Sequence, residues 1–136
     1  MNRRRFCFAL ITLVAAVAGP TRADVPEDSV TIKVGQQLFV SFTANGDNLV
    51  SPKMQPNGDG PDATVTIQLT QSGPTRTLLV TNGYARGLGC RIKARKRGSH
   101  KETDLPVSSV RSGMQSVMSL GEPFDELVLF GFHLQG

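Results

Sequence analysis

The 136-residue chain carries 15 Lys and Arg, 11 Asp and Glu and a formal net charge of +4, with no Trp and two cysteines. Four of the arginines and none of the acids lie within residues 1–23, so the remaining chain balances 11 cations with 11 acids. That neutrality excludes a protein drawn to nucleic acid by its overall charge. Because Cys90 is the only cysteine outside residues 1–23, an intramolecular disulfide is excluded from the rest of the chain.

The first residues are typical of an export signal. Three arginines in residues 1–5 precede an apolar run at 6–18, and Gly19-Pro20 ends this run before Thr21-Arg22-Ala23, with the small residue Ala23 at the cut. This pattern predicts a secretory signal peptide over residues 1–23, with cleavage after Ala18 as the alternative. The run is shorter than the roughly 20 apolar residues of a membrane helix, so no transmembrane segment is expected in the mature chain. We expect a periplasmic or secreted protein, exported by the Sec route or, because of the adjacent arginines, by the twin-arginine route.

Residues 24–136 have the size of one ordinary domain and a pattern of strands joined by turns. Apolar and polar residues alternate with a period of two, as in half-buried β-strands. The predicted strands are residues 29–34, 37–43, 63–70, 76–81, 88–97, 114–120 and 126–134. Pro, Gly, Asn and Asp dominate residues 51–62 and predict a loop, and residues 98–104 form a second, polar loop. Asn82-Gly83 is a turn signal.

Short strands with frequent turn signals and no helical period predict an all-β protein. The expected architecture is an antiparallel β-sandwich, immunoglobulin-like, with a small barrel as the second choice. The cysteine and tryptophan pattern of true immunoglobulin domains is missing, so the prediction concerns architecture alone. The last predicted strand, residues 126–134, is apolar on both parities and should be buried on both faces.

The predicted strand at residues 88–97 also holds the most concentrated positive charge. Apolar residues occupy its even positions from 90 to 94, and cations occupy its odd positions from 91 to 97. Because successive side chains of a strand point to opposite faces, the cations should line up in solvent. The candidate binding residues on and near this strand are Arg86, Arg91, Lys93, Arg95, Arg97 and Lys101.

A row of cations on one strand face produces a strong local field. It predicts contact with an anionic surface, a phosphorylated glycolipid, another polyanion or an acidic protein partner, with no nucleic acid expected. The loops at residues 84–88 and 98–104 would flank this surface. The alternative is a solvated strand face whose cations protect a sheet edge from aggregation.

No pattern in the sequence predicts catalysis, a cofactor or a bound metal. Cys90 lies on the apolar parity and is expected to be a buried thiol, whereas a nucleophilic cysteine would need His100 or His133 as its base. The spacing of methionines and histidines does not support a copper site. Residues 57–62 fall short of a calcium loop, because the twelfth position is Gln68 where a bidentate Glu is expected.

The sequence therefore predicts an exported, non-catalytic binding domain. One alternative is a structural or assembly subunit that exchanges its apolar last strand, residues 126–134, by β-strand addition. A second alternative is a small hydrolase that gathers His100 or His133 with acids in a cleft.

Overall fold

The computed structural model describes residues 26–60, 62–96, 99 and 101–136, and its regular elements are all β-strands. The predicted signal peptide, residues 1–23, lies outside the described part of the chain, as do Arg97 and His100. Within the described part, no helix has the length and apolar character needed to cross a membrane.

Nine strands follow one another along the described part of the chain. They are β1 (Val30–Lys33), β2 (Gln37–Asn45), β3 (Asn48–Gln55), β4 (Val65–Ser72), β5 (Thr75–Asn82), β6 (Gly87–Arg95), β7 (Glu102–Val110), β8 (Gln115–Leu120) and β9 (Glu126–Gln135). Each of the seven predicted strands overlaps one of these elements. The alternation of apolar and polar residues is therefore a sound guide wherever one face of a strand is buried.

Strands β3 and β7 correct the two predicted loops. Residues 51–55 belong to β3 and residues 102–104 to β7, so the loop predictions were wrong there. Strand β3 pairs with β2, but Leu49 is its one buried side chain, so its sequence shows no alternation of apolar and polar residues. Strand β7 is likewise mostly polar, and Pro106 interrupts it, so neither segment has the composition of a typical strand.

The strands form one antiparallel sheet in the order β7-β6-β9-β3-β2-β4-β5-β8, with β1 pairing beside the first half of β9. The terminal strands β7 and β8 approach each other where Ser108 Oγ lies 3.5 Å from Ser116 Oγ, and the sheet is nearly closed into a barrel. The all-β, antiparallel prediction is confirmed. A single continuous sheet is not the two-sheet arrangement expected of an immunoglobulin-like sandwich, and the second choice, a small barrel, describes it better.

Strand β9 lies at the centre of the half of the sheet that carries the candidate site. It pairs with β6 along its length and with β1 from Glu126 to Leu129. The β6 register shifts between Phe130 and His133, where Gly131 adopts a φ of 65°, a left-handed conformation that suits a bulge. The prediction of a strand buried on both faces is confirmed for residues 127–130, whose four side chains are buried, whereas Gly131 is exposed and residues 133–135 are half-buried.

The core fills the inside of the sheet with branched aliphatic side chains from almost every strand. Its largest fully buried members are Val30, Ile32, Val40, Val65, Ile67, Leu69, Leu78, Val80, Leu88, Ile92, Leu127 and Leu129. Side chains on the other parity of each strand face outward, so the core fixes which residues of β6 reach the surface.

Candidate functional site

The predicted basic strand is extended as expected. The even-numbered side chains of β6 from Leu88 to Ala94 are at most 1% exposed and belong to the core. Arg91, Lys93 and Arg95 consequently project from the outer face of the sheet, and we call these three residues the cationic face. The predicted alternation is confirmed for the described part of this segment, and Arg97 lies outside it.

Two carboxylates on neighbouring strands neutralise one end of the cationic face. Arg95 Nη2 lies 2.7 Å from Glu102 Oε2, and Arg95 Nη1 lies 3.3 Å from Glu126 Oε1. Both glutamates stand directly opposite Arg95 in the registers of β7 and β9. Lys93 Nζ is 3.7 Å from the other oxygen of Glu102. The field of Lys93 and Arg95 is therefore partly cancelled by cross-strand ion pairs.

The same contacts act on Glu102. The hydrogen bond from Arg95 is the main cause that lowers the pKa of the Glu102 carboxyl, and the positive charges of Arg95 and Lys93 add to it against the opposing effect of burial. A lowered pKa in the folded protein means that folding favours the ionised carboxylate. The ion pairs of Glu102 consequently stabilise the fold at neutral pH.

Glu102→Gln is expected to lower the free energy of unfolding by about 1 kcal/mol at pH 7, in the upper range for partly exposed ion pairs. Because the folded-state pKa of Glu102 is depressed, this stabilisation is complete above the unfolded value of roughly 4.3 and is lost as pH falls through the folded-state pKa. Denaturant unfolding of both proteins over a descending pH series should therefore show converging stabilities. Glu122→Gln, which breaks an exposed pair with Lys96, is the control and should change less. A difference that persists unchanged in acid would contradict this assignment.

Arg91 is held by an aromatic ring. Its guanidinium carbon lies 5.2 Å from the centroid of Phe130, and its aliphatic stem passes over Gly131. Lys93 Nζ lies 5.5 Å from the same centroid. Phe130 and Val128 point outward opposite Arg91 and Lys93, yet they are only 9% and 1% exposed. The two cations thus lie beside an outer apolar strip of β9, and the ring positions Arg91 without neutralising it.

The other predicted residues are spread around this face. Arg86 lies before the opposite end of β6 and pairs with Asp47 at 2.9 Å, with both side chains exposed. Lys101 is exposed and immediately precedes β7. The structure therefore gathers Arg91, Lys93 and Arg95 and separates Arg86 from them.

Sequence reasoning missed the partners of these cations. The predicted loop at residues 98–104 includes Glu102, and the predicted strand at residues 126–134 gives Glu126 and Phe130 no role at the site. The registers of β6 with β7 and with β9 create all three contacts. A strand prediction for residues 102–110 would have revealed the Glu102 contact, because pairing of that strand with the basic strand places Glu102 opposite Arg95.

A cleft of about 480 Å³ lies beyond the Arg95 end of the cationic face. Its lining residues are Lys33, Val34, Arg95, Lys96, Ser99, Asp125 and Glu126. Lys96 Nζ lies 2.6 Å from Glu122 Oε1 at the same end of the molecule. Because both cations and carboxylates line the cleft, it does not favour one sign of ligand charge.

Cys90 and His133, the cysteine and the histidine among the described residues, are both packed against other parts of the sheet. Cys90 is 1% exposed, which confirms the prediction of a buried thiol, and this burial raises the pKa of the thiol to about 12. His133 lies against Gly89, and its Nδ1 is hydrogen bonded to Gly131 O at 2.9 Å. Within the residues described, no group of three His, Cys, Asp or Glu side chains is arranged to hold a metal ion.

Comparison with known proteins gives no further assignment. No protein-family model, no curated protein and no solved structure matches this chain.

Proposed function

We propose that this protein is an exported, non-catalytic binding domain that contacts an anionic group through Arg91 of the cationic face. Export rests on the basic and apolar pattern of residues 1–23. The anionic group would be presented by a membrane or cell surface, a phosphorylated glycolipid or an acidic protein partner. The observation that carries the proposal is the position of Arg91, exposed and held over Phe130.

Arg91 differs from its neighbours in what it contacts. Lys93 and Arg95 each have a carboxylate oxygen within 4 Å, whereas the described contact of Arg91 is the Phe130 ring. An aromatic contact restricts a guanidinium without using its N–H donors. Those donors form a planar fork that matches the oxygens of a carboxylate or a phosphate. Arg91 is therefore the cation of the face that is best prepared to receive an anion.

Lys93 assists anion binding at Arg91, and Glu102 limits this contribution. Lys93 stands one position along the same face and shares the Phe130 ring, so an anion at Arg91 also feels its charge. Glu102 offsets that charge at 3.7 Å. Removal of the Glu102 charge should therefore strengthen binding, while removal of the Arg91 charge should weaken it.

Arg91→Ser is expected to weaken binding to anionic lipid vesicles about tenfold, the value of one charge-assisted hydrogen bond. Co-sedimentation with vesicles of increasing anionic lipid content, repeated over a salt series, measures the effect. Arg86→Ser is the matched control, because it removes the same charge from a residue that is already paired with Asp47. Heparin retention tests the polyanion source, and an acidic peptide tests the protein source.

Glu102→Gln provides the opposite arm of the same experiment and should bind more tightly than the unmodified protein. Binding that falls equally in the Arg86 and Arg91 variants would show that only total charge matters. An unmodified protein that binds none of the three probes at low salt would exclude the proposed function.

The assembly alternative required exchange of the last strand, β9, between copies of the chain. Because β9 is paired on both edges, its exchange would break the centre of the sheet. Among the described residues, β7 and β8 end the order of paired strands, and each has one edge with no strand hydrogen bonded to it. No observation on the described residues favours the small hydrolase, since Cys90 is buried and protonated and His133 is held against Gly89.

A further inference from the structure

The sheet has a seam between its terminal strands, β7 and β8. The described residues of these strands form no backbone ladder with each other. They meet at the hydroxyl contact between Ser108 and Ser116, next to the loop that joins them. Each strand therefore has one edge whose backbone groups have no strand partner, which is a template for pairing with another strand.

The two edges differ in their protection. Strand β7 contains Pro106, which lacks an N–H, and the exposed carboxylate of Asp104. Proline and charge are the usual devices that prevent a strand from joining an edge. Strand β8 has the sequence QSVMSL, with neither a charge nor a proline. An incoming strand would therefore be accepted by β8 rather than by β7.

Exposed apolar side chains collect along the same seam. Four large hydrophobic side chains are exposed among the described residues, and three of them belong to β7, β8 or the loop between them. Val107 and Val117 are each 63% exposed and Met114 is 57% exposed, whereas the fourth, Met54, lies on β3. Such clustering is typical of an interaction surface, since scattered exposed hydrophobics are ordinary.

The backbone of β8 shows which of its groups face the seam. The N–H of Asn82 donates to Met114 O at 2.9 Å, in line with the register of β5 and β8. In an antiparallel ladder alternate residues exchange both bonds with one neighbour, so the even-numbered residues of β8 bond to β5. The N–H and C=O groups of Gln115, Val117 and Ser119 therefore point to the free edge.

We propose that the β8 edge binds β8 of a second copy of this chain, antiparallel and centred on Val117. In this register Val117 meets Val117 of the second copy, and Gln115 meets Ser119, so all three free odd-numbered residues pair with one another. About six backbone hydrogen bonds form, and no charge lies opposite a like charge. The interface is isologous and closes as a dimer. Strand β7 must give way near Ser116, where the hydroxyl contact is replaced.

Val117→Lys tests the proposal, because it places two like charges opposite each other at the centre of the interface. Molar mass measured by light scattering over a concentration series should show a dimer for the unmodified protein and a shift of at least about tenfold in its dissociation constant for the variant. Met54→Lys is the matched control, with the same change at an exposed hydrophobic residue away from the seam. It should dimerise like the unmodified protein.

Ser119→Pro tests the register independently, since it removes an N–H that points to the seam and not to β5. The melting temperature of Ser119→Pro should be close to that of Ser119→Ala. Ser119→Pro should be monomeric, whereas Ser119→Ala should still form the dimer. A monomeric unmodified protein at every concentration, or a Ser119→Pro protein that still dimerises, would overturn the proposal. Neither result depends on whether Arg91 binds anions.

Discussion

Asn82→Ala is expected to lower the free energy of unfolding by about 3–5 kcal/mol, the largest effect of any single polar substitution that we predict. Most domains are stable by only about 5–15 kcal/mol, so the variant should be close to unfolding under mild conditions. The reason is the position of Asn82, which is the last residue of β5 and is 0% exposed.

Every polar atom of this side chain has a partner. Nδ2 donates to Arg86 O at 2.7 Å and to Val110 O at 3.0 Å, while Oδ1 accepts from the N–H of Tyr84 at 2.8 Å. These bonds join the end of β5, the following loop and the end of β7. An alanine leaves the three backbone groups without those partners, at about 1–3 kcal/mol for each group that stays buried.

Chemical denaturation followed by far-ultraviolet circular dichroism measures the change. Asn48→Ala is the control, because Asn48 is exposed on β3 and its replacement should alter the stability by no more than about 0.5 kcal/mol. Equal stabilities of the two variants would show that the Asn82 side chain does not hold this corner of the barrel together.

Asn82 also shows what a local pattern cannot predict. An Asn-Gly pair between apolar runs usually makes a two-residue hairpin turn, which requires positive φ. Neither Asn82 nor Gly83 has a positive φ, and β5 and β6 are not neighbours in the sheet. Gly46, with a φ of 66°, does sit in the hairpin between β2 and β3. Asn82-Gly83 therefore marks a change of chain direction, while the strand order of the whole sheet determines which strands become neighbours.

The extended conformation of β6 and its division into buried and exposed residues were predictable from its own sequence. The alternation from Leu88 to Arg95 has a period of two, and only an extended backbone sorts it into a buried set and an exposed set. The carboxylates were not predictable, since Glu126 is 31 residues from Arg95 along the chain and is brought opposite it by register. The cations of the site thus follow from local sequence, and their neutralisation follows from topology.

Gly83→Ala should destabilise the protein by about 3 kcal/mol, the upper range of overpacking costs. The N–H of Gly83 donates to Thr64 O at 2.9 Å, which brings the two backbones into close contact. A Cβ at residue 83 would overlap that carbonyl oxygen and lie 3.3 Å from the Thr64 nitrogen. Because both atoms belong to the backbone of a buried residue, no side-chain rotation relieves the overlap.

The expected loss of stability in Gly83→Ala has a steric cause and not a conformational one, since Gly83 does not have the left-handed backbone that only glycine tolerates well. Gly121→Ala separates the two causes, because a Cβ at Gly121 meets nothing within 4 Å and its φ is not left-handed either. That variant should be neutral or slightly more stable, as alanine reduces the freedom of the unfolded chain. Thermal and denaturant unfolding of both proteins should place Gly83→Ala well below Gly121→Ala. If both match the unmodified protein, the start of β4 and the end of β5 are able to separate without loss, and the corner built on Asn82 does not depend on their contact.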